Sequence, residues 1–409
     1  MRFDNIVIGG GLSGMLAGIT LACRGSKVAL ISSGKSALHF FSGSLELWHE
    51  GAISLERFLR ENPSHPYSKI IEEGSIERYT SVVKDIFARI GITLQGEGRE
   101  NHWRMTPLGA LKPAWLTAKE YFTFDYAGEC RYHNVALVGI EGYLDFQPEF
   151  IADSLKRRGI DTHRYTVGLP TSPQSERRDM HTLQLSHALR GEILIEFAHN
   201  IANVIEDEEI VLLPALFELG GDNNAIATIE SVVGRRVMMV PTLSVSAVGV
   251  GIHKLLIEEF KRVGGVFLGN DNVAKCSIEN ESVRCIYTSN NPEEELVAEH
   301  YILATGSFFG GGLVATNEDI YEPIAGVDIV APALRREWYG DNIIGEQPFE
   351  RFGVATDKSL HPLLYGTPIH NLYAIGGLLA GADAVKEGCG GGIAAMSALR
   401  VVDDIFNTH

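Results

Sequence analysis

The sequence predicts an α/β fold of the Rossmann type, with a parallel sheet and an inserted α+β cap domain. Three observations carry this expectation. Residues 3–31 read as strand, glycine turn, helix and strand; two much later apolar strands stop at glycines, Thr305-Gly306 and Gly376-Gly377; and the stretch between is broken by prolines into short elements. The expected division is a discontinuous domain of 1–45, 240–310 and 365–409 around an insert of 46–239 and 311–364.

The first strand is the apolar run FDNIVI, residues 3–8, which runs into Gly9-Gly10-Gly11. Apolar residues at helical spacing follow from Leu12 to Arg24, and Gly25 ends the helix before a buried strand at Lys27–Ile31. Gly9, Gly11 and Gly14 satisfy G-x-G-x-x-G between strand and helix. The first glycine permits the tight turn, the second lets backbone approach a phosphate, and the third allows close helix packing. Phosphate would sit on the free N–H groups of the helix start. A dinucleotide site of this kind also needs an acid after the second strand to hold the adenosine ribose. From Met15 to Leu45 there is neither Asp nor Glu.

Within the insert, Pro63, Pro66, Pro107, Pro113, Pro148, Pro170, Pro173 and Pro214 interrupt the chain. Residues 134–167 nevertheless repeat the strand, turn, helix, strand order, with Asp145 placed to cap a helix starting near Pro148. A second nucleotide site and a purely structural unit both fit this pattern, and packing is the commoner use of it. Beyond it, 241–270 reads as a helix ending at Gly264-Gly265 and a strand at Val266–Leu268. Charged hairpin strands lead to Tyr301, with Glu293-Glu294-Glu295 as a solvated turn.

Two later segments turn the nucleotide expectation toward flavin. Flavoproteins of the glutathione-reductase type return to the sheet with a strand ending in Ala-Thr-Gly, then close with a glycine beside the flavin and a helix whose N-terminus points at the ring. Ala304-Thr305-Gly306, Gly376-Gly377 and Gly390-Gly391-Gly392 occupy those places in order. Oriented N–H groups after Gly390 would stabilise the negative charge of a reduced flavin. The expected fold is therefore a Rossmann-type flavoprotein. FMN has no adenosine ribose, so FMN accounts for the missing acid; FAD is the alternative. Hydroxyls at Ser32, Ser33, Ser42 and Ser44, with backbone at Gly43, are candidates for the phosphate or ribityl groups, and serines there serve equally as turn caps. Cys389 has no second cysteine near it in sequence and is not expected to be a redox thiol.

The formal charge of −17 argues against nucleic acid as a partner, because phosphate neutralisation needs clustered Lys and Arg. The most apolar stretch, Val237–Ile252, is broken by Pro241, Ser244 and Ser246 and is shorter than the roughly 18 to 20 residues that span a bilayer. Asp4 and the absence of a basic leader argue against a secretory signal, so a cytoplasmic location is expected. Five scattered cysteines without a C-x-x-C pair offer no zinc or iron–sulfur spacing, so no metal is expected and an organic cofactor must carry any electrons.

The stretches FDNIVIGGGLSGMLAG, KSALHFFSGSLEL, VALVGIEGYLDFQ, VPTLSVSAVGVGIHKLL, ILATGSFFGGGLVA, REWYGDN, QPFERFGVATD and GCGGGIAAMSAL together resemble the B subunit of bacterial anaerobic glycerol-3-phosphate dehydrogenases, in the same order from the first residue to the last helix. That resemblance implies an FMN-bearing subunit in the oxidation of sn-glycerol 3-phosphate to dihydroxyacetone phosphate. It implies a catalytic A subunit, an iron–sulfur C subunit that anchors the pair at the inner face of the cytoplasmic membrane, and electrons passing to quinone and on to fumarate or nitrate. A base must take the C2 hydroxyl proton and a cation must hold the phosphate. His39 is a candidate for the first and Arg335, Arg336 or Arg351 for the second, without an assignment. Two other readings stay open: an electron-transfer or scaffolding subunit without substrate, and a flavin reductase of the fumarate reductase type.

Overall fold

The computed structural model describes residues 1–34, 36–48, 52–98, 100–169 and 179–407. Lys35, Pro170 and Pro173 lie outside them. By contact the chain divides into two compact units. The first is Met1–Ala37, Glu46–Ile86 and Leu256–His409; the second is Leu38–Leu45 and Phe87–Leu255. Relative to the boundaries expected from sequence, 46–86 and 311–364 group with the first unit, and 38–45 and 240–255 with the second. Long-range pairing draws these lines. Ser44–Leu45 pairs antiparallel with Leu116–Ala118, and Val354 bridges Leu379.

The first unit is built on a five-stranded sheet. Its strands are β1 (Arg2–Ile8), β2 (Val28–Ser32), β3 (Val266–Gly269), β4 (Val297–Leu303) and β5 (Leu372–Ala374), in the spatial order β3-β2-β1-β4-β5 with every pair parallel. The order reverses at β1, the switch point at which open parallel sheets bind ligands beyond their carboxyl ends. Ile6, Val7, Leu30, Ile31, Ile302 and Leu303 are buried in this sheet, each contributing about 1.5 to 3 kcal/mol. Helix α1 (Leu12–Cys23) has no charged side chain, and Ser13 through Ala22 are buried, so both its faces are covered. Gly25, at φ +92°, stops it in a left-handed turn. Helix α2 (Gly390–Asn407) packs along α1, and Arg24 pairs with Asp403 at 2.8 Å across them. The charged hairpin is present as antiparallel Val273–Glu279 and Ser282–Thr288. The apolar strand expected to stop at Thr305-Gly306 runs Val297–Leu303, which leaves Ala304-Thr305-Gly306 as loop.

The second unit has its own four-stranded parallel sheet, in the order Asp161–Val167, Asn134–Ile140, Ile210–Pro214, Arg236–Val240, beside two small antiparallel sheets. The helix expected near Pro148 runs Pro148–Arg157, but Asp145 does not cap it. Its N-cap is Gln147 without a side-chain bond, and Pro148 opens the helix with no N–H of its own to satisfy. Asp145 instead accepts from the N–H and hydroxyl of Thr182 at 2.8 and 3.0 Å and pairs with His181 at 2.9 Å, so it holds the start of Thr182–Ala188. Glu149 in the first turn of Pro148–Arg157 opposes an anion there, which favours the structural use of this repeat.

A polar chain is buried in the second unit: His102 Nε2 lies 2.7 Å from the Thr117 hydroxyl, which donates to Ser44 at 2.7 Å. Burial, aided by Arg104, pushes the His102 pKa down to about 4. The unfolded chain therefore takes this proton first as pH falls, so the stability due to neutral His102 is complete above about pH 6.5 and is lost on the way down to about 4. The loss amounts to roughly 3 kcal/mol. In denaturant titrations at pH 7 and pH 4.5, wild type is expected to lose about 2 to 3 kcal/mol more than His102→Gln; equal losses would show that His102 does not set the acid limit.

Candidate functional site

Three of the glycine loops converge in the first unit. A Cβ on Gly9, which sits at φ +117°, would lie 2.2 Å from the Ala304 carbonyl oxygen, so β1 and β4 meet too closely there for any side chain. A Cβ on Gly14 would lie 2.0 Å from the Gly9 carbonyl oxygen, which brings α1 down onto the turn. Ser13, in the first turn of α1, stands where a Cβ on Gly376 would meet its hydroxyl at 2.6 Å, and the Gly376 N–H donates to Ser397 of α2 at 2.8 Å. Gly377 approaches Gly306 and Ser307 in turn. The turn after β1, the loop after β4 and the loop after β5 thus close into one constellation around the start of α1.

Gly11 differs from its neighbours. Nothing lies within 4 Å of its Cβ position. It is the N-cap of α1, without a side-chain bond and with no acid in the first turn, so the first N–H groups of α1 lack intrahelical partners. Close by, the Thr305 hydroxyl is buried and has no hydrogen-bond partner among the described residues. An anion on the first turn and a polar ligand atom on Thr305 satisfy these groups, which is what a flavin nucleotide offers.

The other sequence candidates divide. Gly390 starts α2 and packs on Ala384, but the Gly392 N–H is used by the Glu46 carbonyl at 2.6 Å, and the Tyr67 hydroxyl fills the space where a Gly392 Cβ would be. Gly392 therefore serves chain packing. Gly391 lies within the first turn of α2. Ser42, Gly43 and Ser44 belong to the second unit, where Gly43 packs against the Tyr121 ring and the Ser44 hydroxyl is engaged by Thr117. Ser32 accepts from the Gly34 N–H at 3.2 Å. A carboxylate that sequence reading missed, Asp271, lies next to the end of β2, its N–H donating to the Ser32 carbonyl. It is buried and accepts from the N–H groups of Asn272 and Asn290. Turn formation thus occupies the one oxygen for which bonds are described.

His39, also in the second unit, has Nε2 3.0 Å from Nδ1 of His253, and burial holds the His39 pKa below its usual value. Sequence reading did not single out His253, which lies among both apolar and charged residues in the helix Ala247–Arg262. Arg335 donates to the Thr316 carbonyl and stacks over Trp338, whereas Arg351 pairs with Glu387 at 2.7 Å.

Cys389 sits at the entry to α2, fully buried, its thiol donating to Glu387. Burial and the Glu387 charge push the thiol pKa up, so the nucleophilic thiolate is suppressed. In native protein, alkylation followed by peptide mass spectrometry is expected to modify exposed Cys23 and leave Cys389 untouched until the chain is unfolded; rapid native labelling of Cys389 would contradict the burial. His65, Glu387 and Cys389 bring ligand-type atoms within 4.8 Å of one another. His65 Nδ1 accepts the Tyr67 N–H at 3.2 Å, which puts the imidazole proton on Nε2 facing Glu387. That nitrogen is a donor, so the cluster is a hydrogen-bonded clasp on the turn before α2.

The FAD binding domain family matches residues 4–393. A Yersinia pestis protein, named as the B subunit of anaerobic glycerol-3-phosphate dehydrogenase, is 36% identical over 100% of this chain and 99% of its own. The chain belongs to this B-subunit family. Members of the same name from Vibrio cholerae and Pectobacterium atrosepticum are 34% and 32% identical, over 100% and 99% of this chain and 98% and 99% of their own. The resemblance read from the motifs and the Rossmann-type flavoprotein fold are both borne out. As a member of this flavoprotein family the chain has a flavin-linked oxidoreductase role, with the flavin as its cofactor. Among the described residues no helix is long and apolar enough to cross a membrane.

Proposed function

We propose that this chain is the flavin-carrying B subunit of an anaerobic glycerol-3-phosphate dehydrogenase. It oxidises sn-glycerol 3-phosphate to dihydroxyacetone phosphate and passes the electrons through a catalytic A subunit and an iron–sulfur C subunit to quinone, on the cytoplasmic face of the membrane and attached only through its partners. Full-length similarity to relatives of that name carries the reading. A bound flavin supplies a two-electron acceptor. Gly9, Gly11 and Gly14 would admit its phosphate to the first N–H groups of α1, Thr305 and Gly306 would meet a polar edge, and Gly376 and Gly377 would lie against the ring with the start of α2 at Gly390 and Gly391. FMN is proposed because β2 is followed by no acid and one oxygen of Asp271 is used by its own turn; the description of the matching family favours FAD.

The glycine loops themselves carry no titratable side chain, which favours a second reading in which this subunit relays electrons and the catalytic partner removes the hydroxyl proton. Anaerobic addition of sn-glycerol 3-phosphate to the flavin-loaded chain separates the two. Bleaching of the visible flavin bands supports direct oxidation; bands that persist until the catalytic partner is added support the relay; bleaching by a dicarboxylate couple alone would overturn both.

A further inference from the structure

A cavity of about 660 Å3 lies within the first unit. Its walls are largely apolar, formed by residues such as Val330, Pro332, Pro348, Phe352 and Leu379, and it holds two cationic side chains, Lys69 and Arg351. Among the described residues no aspartate or glutamate lines it, in a chain with net charge −17. One wall, Leu379 to Gly381, continues directly from the Gly376–Leu378 turn, so the cavity adjoins the loop proposed above to lie against the flavin ring.

Both cations are held in place. The Lys69 ammonium donates to the carbonyl and hydroxyl oxygens of Thr356 at 2.8 and 3.0 Å, which leaves one of its three donors. Arg351 uses Nη1 for both its described contacts, the Gly381 carbonyl at 3.1 Å and Glu387 at 2.7 Å, and the rest of its planar fork makes no described bond. Glu387 offsets part of the Arg351 charge. Asp357, whose charge acts on Lys69 and offsets part of it, accepts from the N–H groups of Ser359 and His361 through one oxygen and does not line the cavity. Desolvation lowers the Lys69 pKa, as expected for an ammonium held partly out of water. In so apolar a setting an anion is attracted more strongly than at the surface.

We infer that this cavity receives the phosphate end of a small phosphate ester, with Lys69 supplying net charge and the Arg351 fork supplying direction. The choice of ester, sn-glycerol 3-phosphate, rests on the reading under Proposed function; the anion site rests on the cavity. Of the three arginines considered from sequence, Arg351 alone lines it.

The test is calorimetric titration of the flavin-loaded chain with inorganic phosphate and with sn-glycerol 3-phosphate, alongside KM and kcat for flavin reduction. Lys69→Met removes the charge. Val330→Glu puts a carboxylate in the wall at a half-exposed position that tolerates polarity, and Arg351→Lys keeps a cation beside Glu387 so that the fold is not left with an unpaired acid. Phosphate is expected to bind wild type and compete with the ester. Affinity is expected to fall roughly tenfold to a hundredfold in Lys69→Met and Val330→Glu, with KM rising and kcat less affected, while Arg336→Met binds as wild type. Phosphate that fails to bind wild type, or binds these variants equally well, overturns the site. So does binding of succinate in place of phosphate. If sn-glycerol 3-phosphate bleaches the flavin with an unchanged KM in the variants, the cavity assignment falls and the proposed substrate stands. If phosphate binding is lost in the variants but the ester never bleaches the flavin, the cavity stands and the substrate falls.

Discussion

Gly11→Glu is expected to yield a folded chain that retains almost no flavin. The Cβ position at Gly11 faces open space, so the new side chain meets no protein atom at its root, and the N-cap tolerates an extended residue with φ −75°. What the glutamate does is place a carboxylate against the first turn of α1, where its charge repels a phosphate and competes for the same N–H groups. Because bound flavin itself stabilises the fold by mass action, the fair comparison is with deflavinated wild type. Against that reference the melting temperature is expected to agree within about 2 °C, since a surface change of this kind is worth about 0.5 kcal/mol. Normal flavin content in Gly11→Glu would show that phosphate does not enter there.

Gly14→Val, three residues on, is expected to do the opposite kind of damage. Its Cβ would stand 2.0 Å from the Gly9 carbonyl oxygen and 3.3 Å from Ala304 Cβ, and no rotamer relieves a clash with backbone. Relief requires α1 to lift from β1 and β4, which breaks a contact buried on every side. A cost of about 3 kcal/mol or more follows, seen as a melting temperature lowered by roughly 6 to 12 °C even before flavin is added, and excess flavin does not restore it. A variant as stable as wild type would mean that the close approach of α1 to the turn is not a structural requirement.

The contrast between these two glycines marks what was legible in the sequence. The motif spacing is local, so spacing alone assigns Gly9, Gly11 and Gly14 to turn, approach and packing, and puts the three loops in order along the sheet. Residues whose roles depend on distant partners were not legible in this way. Ser42, Gly43 and Ser44 were candidates for phosphate or ribityl groups and equally for turn caps; strand pairing with Leu116–Ala118 draws Ser44 into a buried hydroxyl chain of the second unit. Asp145 was placed to cap the helix that follows it, but Thr182, 37 positions away, took the carboxylate. Gly392 completed a glycine triplet, yet its N–H is taken by Glu46. Lys69 and Thr356 are 287 positions apart, and no periodicity in the chain links them.

Extraction and chromatography of the cofactor from the purified chain alone tests the central claim most directly. The account predicts a yellow protein that releases close to one FMN per chain. Release of FAD would contradict the argument from the missing acid, and a colourless chain that takes up neither flavin would contradict the site itself.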